Sequence, residues 1–256
     1  MNSVYSKTNI FDKLALPLLV LGGVLAIAAF VLAFTVAPLV SGEAVTNGFV
    51  EINGQYVTSK LLLSQKIFYF HMPVAVVSMA ALLFTAIYSI LFLKTRKSIY
   101  DLRARIATEI ALVFVLMTMV TGLLWTRYEW GIWWTWDPRL TTYFILMLLV
   151  FGYFILRNAV SDPERRAVYS SVLGIIIFID VPICFMVTRL IPSSIHPVIL
   201  RTDSGLPPPM LIPLLMALAG FACIAFALYR YRLRAQSMQE RIEVLKIQVD
   251  ELTEAN

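Results

Sequence analysis

Seven residues stand out for what their side chains can do. His71 and His196 are the only histidines of the chain. All five tryptophans, Trp125, Trp130, Trp133, Trp134 and Trp136, fall within the stretch W-T-R-Y-E-W-G-I-W-W-T-W-D-P-R-L-T-T, Trp125 to Thr142. Arg127, Glu129, Asp137 and Arg139 sit among them. Each indole can bury on the order of 200 Å², worth up to a few kcal/mol when a flat apolar body covers it. A short connection needs no such area merely to turn the chain. Two neutral imidazoles can take the two axial positions of a porphyrin iron, and indoles can cover the ring. A zinc site would want four ligands, commonly Cys or further His, and no such cluster is visible. Cys184 and Cys223 form no C-x-x-C or C-x-x-C-H pattern, which argues against dithiol redox work and self-attached c-type haem. The plainer alternative for the tryptophans is a belt that anchors helix ends at the headgroups. Belts spread over many helix ends and both interfaces, whereas these indoles share one stretch.

The haem reading requires both histidines and the tryptophans on one side of a membrane, so the elements that place them decide it. The chain has 256 residues, 59% of them hydrophobic and only 14% charged, with a mean hydropathy of +0.79. A soluble domain carries about 25% charge. The expected fold class is therefore an all-α integral membrane protein. Six apolar runs are long enough to span: Leu14–Val40, Ile67–Leu93, Ala107–Trp125, Thr141–Leu156, Tyr169–Ile191 and Met210–Tyr229. The fourth is the shortest and is expected to borrow residues from the Trp-rich stretch. The first is too long for a signal-peptide core and is read as retained.

Orientation follows from the loops. Lys94, Arg96, Lys97, Arg103 and Arg105 lie between spans two and three, Arg157, Arg165 and Arg166 between four and five, and Arg230, Arg232 and Arg234 after six. The positive-inside rule puts these loops and both termini in the cytoplasm. Loops 41–66, 126–140 and 192–209 then face outward, toward the periplasm in a bacterium, and the net charge of +5 reflects inner loops rather than nucleic-acid binding. His71, in K-I-F-Y-F-H-M-P, falls at the outer end of span two. His196, in I-P-S-S-I-H-P, falls just beyond span five, and so all seven residues share the outer face.

Three further features carry expectations. Asn53-Gly54 between alternating residues predicts a two-stranded hairpin in the first outer loop. Asp180, mid-span beside Pro182, is expected to make a hydrogen bond that fixes a kink rather than to move ions, although intramembrane acids are functional candidates by default. Met238, Ile242, Leu245, Val249 and Leu252 form a short heptad seam, read as a docking helix for a partner or a second copy, or as a solvated extension. The chain thus divides into a six-span domain, 1–230, holding the Trp-rich loop 125–142, and a cytoplasmic helical tail, 231–256.

The segment W-G-I-W-W-T-W-D-P-R-L-T, Trp130 to Thr141, resembles the signature of the tryptophan-rich (WWD) haem-handling superfamily of cytochrome c biogenesis. Its W-D-P-R-L-T is most similar to the haem exporter protein C family (cytochrome c maturation protein C). The synthase branch usually reads W-D-P-K-E-T there. The six spans, K-I-F-Y-F-H-M-P before the loop and I-H-P after it agree with the same family.

The resemblance implies that the protein holds non-covalent haem b at the outer face of the bacterial inner membrane and passes it to a membrane-anchored haem chaperone. It implies partners: an ABC transporter ATPase, its membrane subunit and a small membrane subunit. By position, His71 and His196 match the family's axial ligands. Trp130, Trp133, Trp134, Trp136 and Asp137 match its haem-binding loop, and Arg127 matches a basic position ahead of it. No bond-making is expected of the chain alone. Lys66, Arg127, Arg139, Arg189 and Arg201 are outer bases suited to the haem propionates, and Asp137 and Arg139 are expected at the rim of the site. Two other classes stay open at this point: a synthase-type haem ligase, and a structural scaffold of an ABC-type complex.

Overall fold

The computed structural model describes residues 10–37, 49–52, 55–58, 61–191, 206 and 208–254. The elements run α1 (Ile10–Thr35), β1 (Phe49–Ile52), β2 (Gln55–Thr58), α2 (Leu61–Thr95), α3 (Ser98–Glu129), α4 (Pro138–Ala159), α5 (Pro163–Leu190) and α6 (Pro208–Glu254). Each of the six helices is long and apolar enough to cross a membrane. The protein is an all-α integral membrane protein apart from one hairpin. In it β1 and β2 pair antiparallel, Phe49 opposite Thr58 and Ile52 opposite Gln55. That register leaves two residues for the turn, as Asn-Gly between alternating residues predicts.

α2 is the hub, and it carries His71. Leu82 of α2 joins Ala111, Leu146, Tyr153 and Ile177 in a core shared with α3, α4 and α5. Val74 and Val77 of α2 join Phe114 of α3 and Phe221 of α6 in a second. Phe68 and Tyr69 of α2 pack with Ala33 of α1 and Met210 and Leu214 of α6 in a third. Lipid tails are as apolar as leucine, so burial of oily surface alone does not hold such helices together. Close packing and interhelical hydrogen bonds do. Ser78 and Tyr143 hydroxyls lie 2.9 Å apart, joining α2 to α4. Thr85 and Thr108 hydroxyls lie 3.1 Å apart, joining α2 to α3.

The α2–α3 connection is only Arg96 and Lys97, with Arg96 in the left-handed region at φ 56°. A turn this tight forces an antiparallel pair in which residues equally far from the turn meet. Thr85 and Thr108 meet this way, and His71 and Thr121 do so, to within one residue, at the other end.

At the basic end, ion pairs tie the helices together. Arg157 of α4 grips Asp101 of α3 through two hydrogen bonds, 2.7 and 2.9 Å. Arg230 of α6 meets Asp12 of α1 at 2.6 Å. Glu109 of α3 is held by Arg105 at 3.0 Å and also by Arg232 of α6 at 2.6 Å. Asp180 accepts from the Cys184 thiol at 3.5 Å, one turn along α5, and Pro182 lies within that same turn.

Candidate functional site

The Trp-rich stretch is shorter as a loop than 125–142. α3 continues through Trp125 to Glu129, and α4 starts at Pro138, so only residues 130–137 leave the helical path. Local chemistry sets both limits. Trp130 caps α3, its amide donating to the Thr126 carbonyl at 2.8 Å. Gly131 follows at φ 75°, the left-handed conformation that commonly ends a helix and that glycine adopts without steric cost. At the other end Asp137 is the N-cap of α4: its carboxylate accepts from the Arg139 amide at 3.0 Å, with Pro138 at the first helical position. The fourth span does take its first residues from the signature. The Asp-Pro pair is a readable helix-start signal.

Asp137 is only 5% exposed, which corrects its expected place at the rim. Burial and capping make it a determinant of loop shape. Thr126 is buried as well, and its hydroxyl lies 2.9 Å from the Trp133 carbonyl, pinning the loop back to α3. Arg127 donates to the Gly131 carbonyl and lays its guanidinium over the Trp133 ring, 5.8 Å from the centroid.

The indoles divide into two sets. Trp130 stands edge-on to Trp125, centroids 5.0 Å apart. Trp134 stands edge-on to Trp136 at 5.5 Å and to Phe144 of α4 at 5.5 Å, and is half-buried. Trp133 and Trp136 are 57% and 73% exposed. The half-buried indoles thus brace the loop, and the exposed ones present open aromatic surface.

His71 lies half-buried in the first part of α2's span, and its Nδ1 is 3.0 Å from the Thr121 hydroxyl of α3. That hydroxyl is 2.7 Å from the Met117 carbonyl, which can only accept. A hydroxyl has one proton to give. With that proton on Met117, Thr121 accepts from Nδ1–H, and the imidazole is left with a free lone pair on Nε2. This is the tautomer a metal requires, held by a partner behind the ring. Gly122 makes room for it: a Cβ there would sit 3.2 Å from His71 Cε1. Neither Thr121 nor Gly122 stands out in the sequence. Their signal is their distance from the Arg96-Lys97 turn, which matches that of His71 to within one residue.

Arg139, in the first turn of α4, reaches Thr188 near the end of α5 at 3.5 Å. α4 and α5 are thus joined at this end through one guanidinium. Arg189 lies over the Phe185 ring, 5.1 Å from its centroid.

Lys66 departs from its expected role. It is 7% exposed, and its ammonium donates to the Ala33 and Ala37 carbonyls at 2.6 and 2.9 Å, capping the end of α1. Terminal helix carbonyls lack partners of their own and carry negative partial charge, which favours a cation there. Lys66 thus serves the fold. His196 and Arg201 lie outside the described residues.

The comparisons with known proteins follow this geometry. A family model described as heme exporter protein C, CcmC, matches residues 4–248. Heme exporter protein C of Bradyrhizobium diazoefficiens is 34% identical over 187 residues, 71% of this chain and 70% of that protein. The protein of the same name from Rhodobacter capsulatus is 28% identical over 184 residues, 71% of this chain and 76% of that one. A ccmC-like mitochondrial protein of cytochrome c biosynthesis from Arabidopsis thaliana is 36% identical over 173 residues, 64% of each chain. The family match takes in all six spans, the Trp-rich loop and most of α6, and the chain belongs to the heme exporter protein C family.

Proposed function

We propose that the protein handles haem for cytochrome c maturation: it binds haem b at the outer face of the inner membrane, between His71 and His196, and delivers it to a membrane-anchored haem chaperone. The observation that supports this is an imidazole whose Nδ1 lies against Thr121, carried at the same end of the α2–α3 pair as two exposed indoles of the braced loop. The printed names of the relatives, heme exporter and cytochrome c biosynthesis proteins, support it. His71 and His196 supply the axial nitrogens. Trp133 and Trp136 supply open aromatic area, and Trp130 and Trp134 brace them. Arg127 and Arg139 offer cations to the propionates, while Asp137 holds the loop's exit. The partners are the chaperone, an ABC ATPase with its membrane subunit, and a small membrane subunit. The chain binds and surrenders haem and makes no bond on its own.

The orientation is testable directly. Reporter fusions after Leu93, Arg157 and Arg230 are expected to read cytoplasmic, and fusions at Asn53, Gly131 and Ser204 external. An internal Gly131 would put the tryptophans in the wrong compartment and end the proposal.

Holding haem and handing it on separate by mutation. Trp136 is the most exposed of the five indoles, so Trp136→Ala removes contact area with little loss of packing. It is expected to retain haem on the two histidines while loading of a co-expressed chaperone falls about tenfold, equivalent to part of the few kcal/mol one indole can bury. The measurement is haem in the purified protein beside haem covalently captured by the chaperone. Normal loading by Trp136→Ala and Trp133→Ala together would reduce the loop to an interfacial anchor.

A further inference from the structure

The haem site uses one end of the bundle and leaves the other end of α6 without a task. The helix does not stop where its apolar run ends. It continues unbroken to Glu254, so residues 235–254 extend roughly 30 Å further. Its root is fixed by the Arg230–Asp12 and Arg232–Glu109 ion pairs. Past that root large apolar side chains lie open: Met238 is 52% exposed, Ile242 50% and Leu245 59%. They recur at spacings of four and three, and Val249 and Leu252 continue the pattern in sequence. In heptad terms Ile242 and Val249 take the a positions, and Met238, Leu245 and Leu252 take d. β-branched residues at a with leucine at d favour pairing of two parallel helices. Ile242, Leu245, Lys246 and Asp250 enclose a shallow apolar hollow, close to the i, i+3, i+4, i+7 diamond that receives a knob from a facing helix.

The flanking charges select the occupant. The e and g positions carry Arg234, Gln239, Arg241, Lys246, Gln248 and Thr253, bases and neutral residues without an acid. The acids Glu240, Glu243, Asp250, Glu251 and Glu254 all occupy b, c and f. Two copies of this chain share one orientation in a membrane, so their tails would pair in parallel. Arg241 of one would then face Lys246 of the other, like charge against like at the pairing edge. A lipid surface fits no better. The tail is an unbroken continuation of a span, and the face away from the seam carries all five acids of the tail, beside the exposed Val244 and Ile247.

We propose that α6 beyond Arg234 is a coiled-coil docking helix for a partner helix at the basic end of the bundle, one with an apolar seam and acidic e and g positions. A seam of little more than two heptads is weak between free partners. It becomes effective when the partner is held at the same membrane, because tethering makes the second contact intramolecular.

The test uses full-length protein in nanodiscs, labelled at the tail. The probe is a synthetic three-heptad peptide with Ile at a, Leu at d and Glu at every e and g, linked to a lipid headgroup in the same disc. A second peptide carries Lys at e and g. Energy transfer is expected for the Glu peptide and about tenfold weaker association for the Lys peptide, the sum of a few ion pairs. Leu245→Asp abolishes association, whereas Val244→Asp, on the opposite face, keeps it. Arg241→Glu with Lys246→Glu reverses the preference. Equal association of both peptides, or association surviving Leu245→Asp, overturns the proposal. So do disulfide-linked dimers of Ile242→Cys in native membranes, which would make a second copy the occupant.

Discussion

His71→Ala is expected to purify without the six-coordinate, low-spin haem spectrum, and added imidazole is expected to restore part of it. The substitution removes the nitrogen whose lone pair the α2–α3 pair keeps free. It also removes the ring's contacts with Thr121 and with the hydrogen of Gly122. Free imidazole can then enter the space left behind. The hydrogen bond behind the ring gives a finer test. Thr121→Val keeps the shape of the side chain and removes the oxygen that fixes the tautomer. Haem affinity is expected to fall about tenfold, the usual scale for losing a partner behind a metal-bound histidine. The spectrum of whatever haem remains should stay low-spin. A wild-type spectrum in both His71→Ala and His196→Ala would refute the bis-histidine site. Unchanged affinity in Thr121→Val would refute the tautomer assignment alone.

The second large effect concerns the scaffold. Gly220→Val and Gly22→Val are each expected to destabilise the protein by about 3 kcal/mol, the upper end of the usual cost of overpacking. α1 and α6 approach backbone to backbone at this crossing. A Cβ on Gly22 would lie 2.7 Å from the Gly220 carbonyl oxygen, and one on Gly220 would lie 2.9 Å from the Ala26 amide nitrogen. Backbone atoms cannot rotate away as the end of a side chain can. The buried face of α1 is otherwise a run of alanines, Ala15, Ala26, Ala29 and Ala33, so the whole contact depends on small residues. In thermal unfolding in detergent the midpoint should fall by roughly 10 °C. Gly23→Val is the control, because a Cβ there meets nothing within 4 Å. Equal shifts for Gly22 and Gly23 would mean that helix propensity, and not the close crossing, sets the cost.

The sequence alone determined the class, the number of spans and the company the tryptophans keep. Those are properties of contiguous residues. A span is a run of apolar side chains, a hairpin signal is Asn-Gly between alternating residues, and the Trp-rich stretch is five indoles within twelve positions. The cap at Asp137-Pro138 moves the start of the fourth span ahead of Thr141, and it explains why the loop ends at 137 and not at 142. What the sequence could not reveal was how each polar side chain would be used, because that depends on what a distant helix brings opposite it. Lys66 and Arg139 are both outer-face bases on paper. Packing puts Lys66 under the carbonyls of α1, and it brings Arg139 of α4 against Thr188 of α5. His71 is a lone imidazole in an apolar run until the two-residue turn at Arg96-Lys97 sets α3 in register and delivers Thr121 to its Nδ1. The choice of ring nitrogen is therefore a tertiary decision: with the one hydroxyl proton of Thr121 given to a backbone carbonyl, Nδ1 holds the ring proton and Nε2 the lone pair.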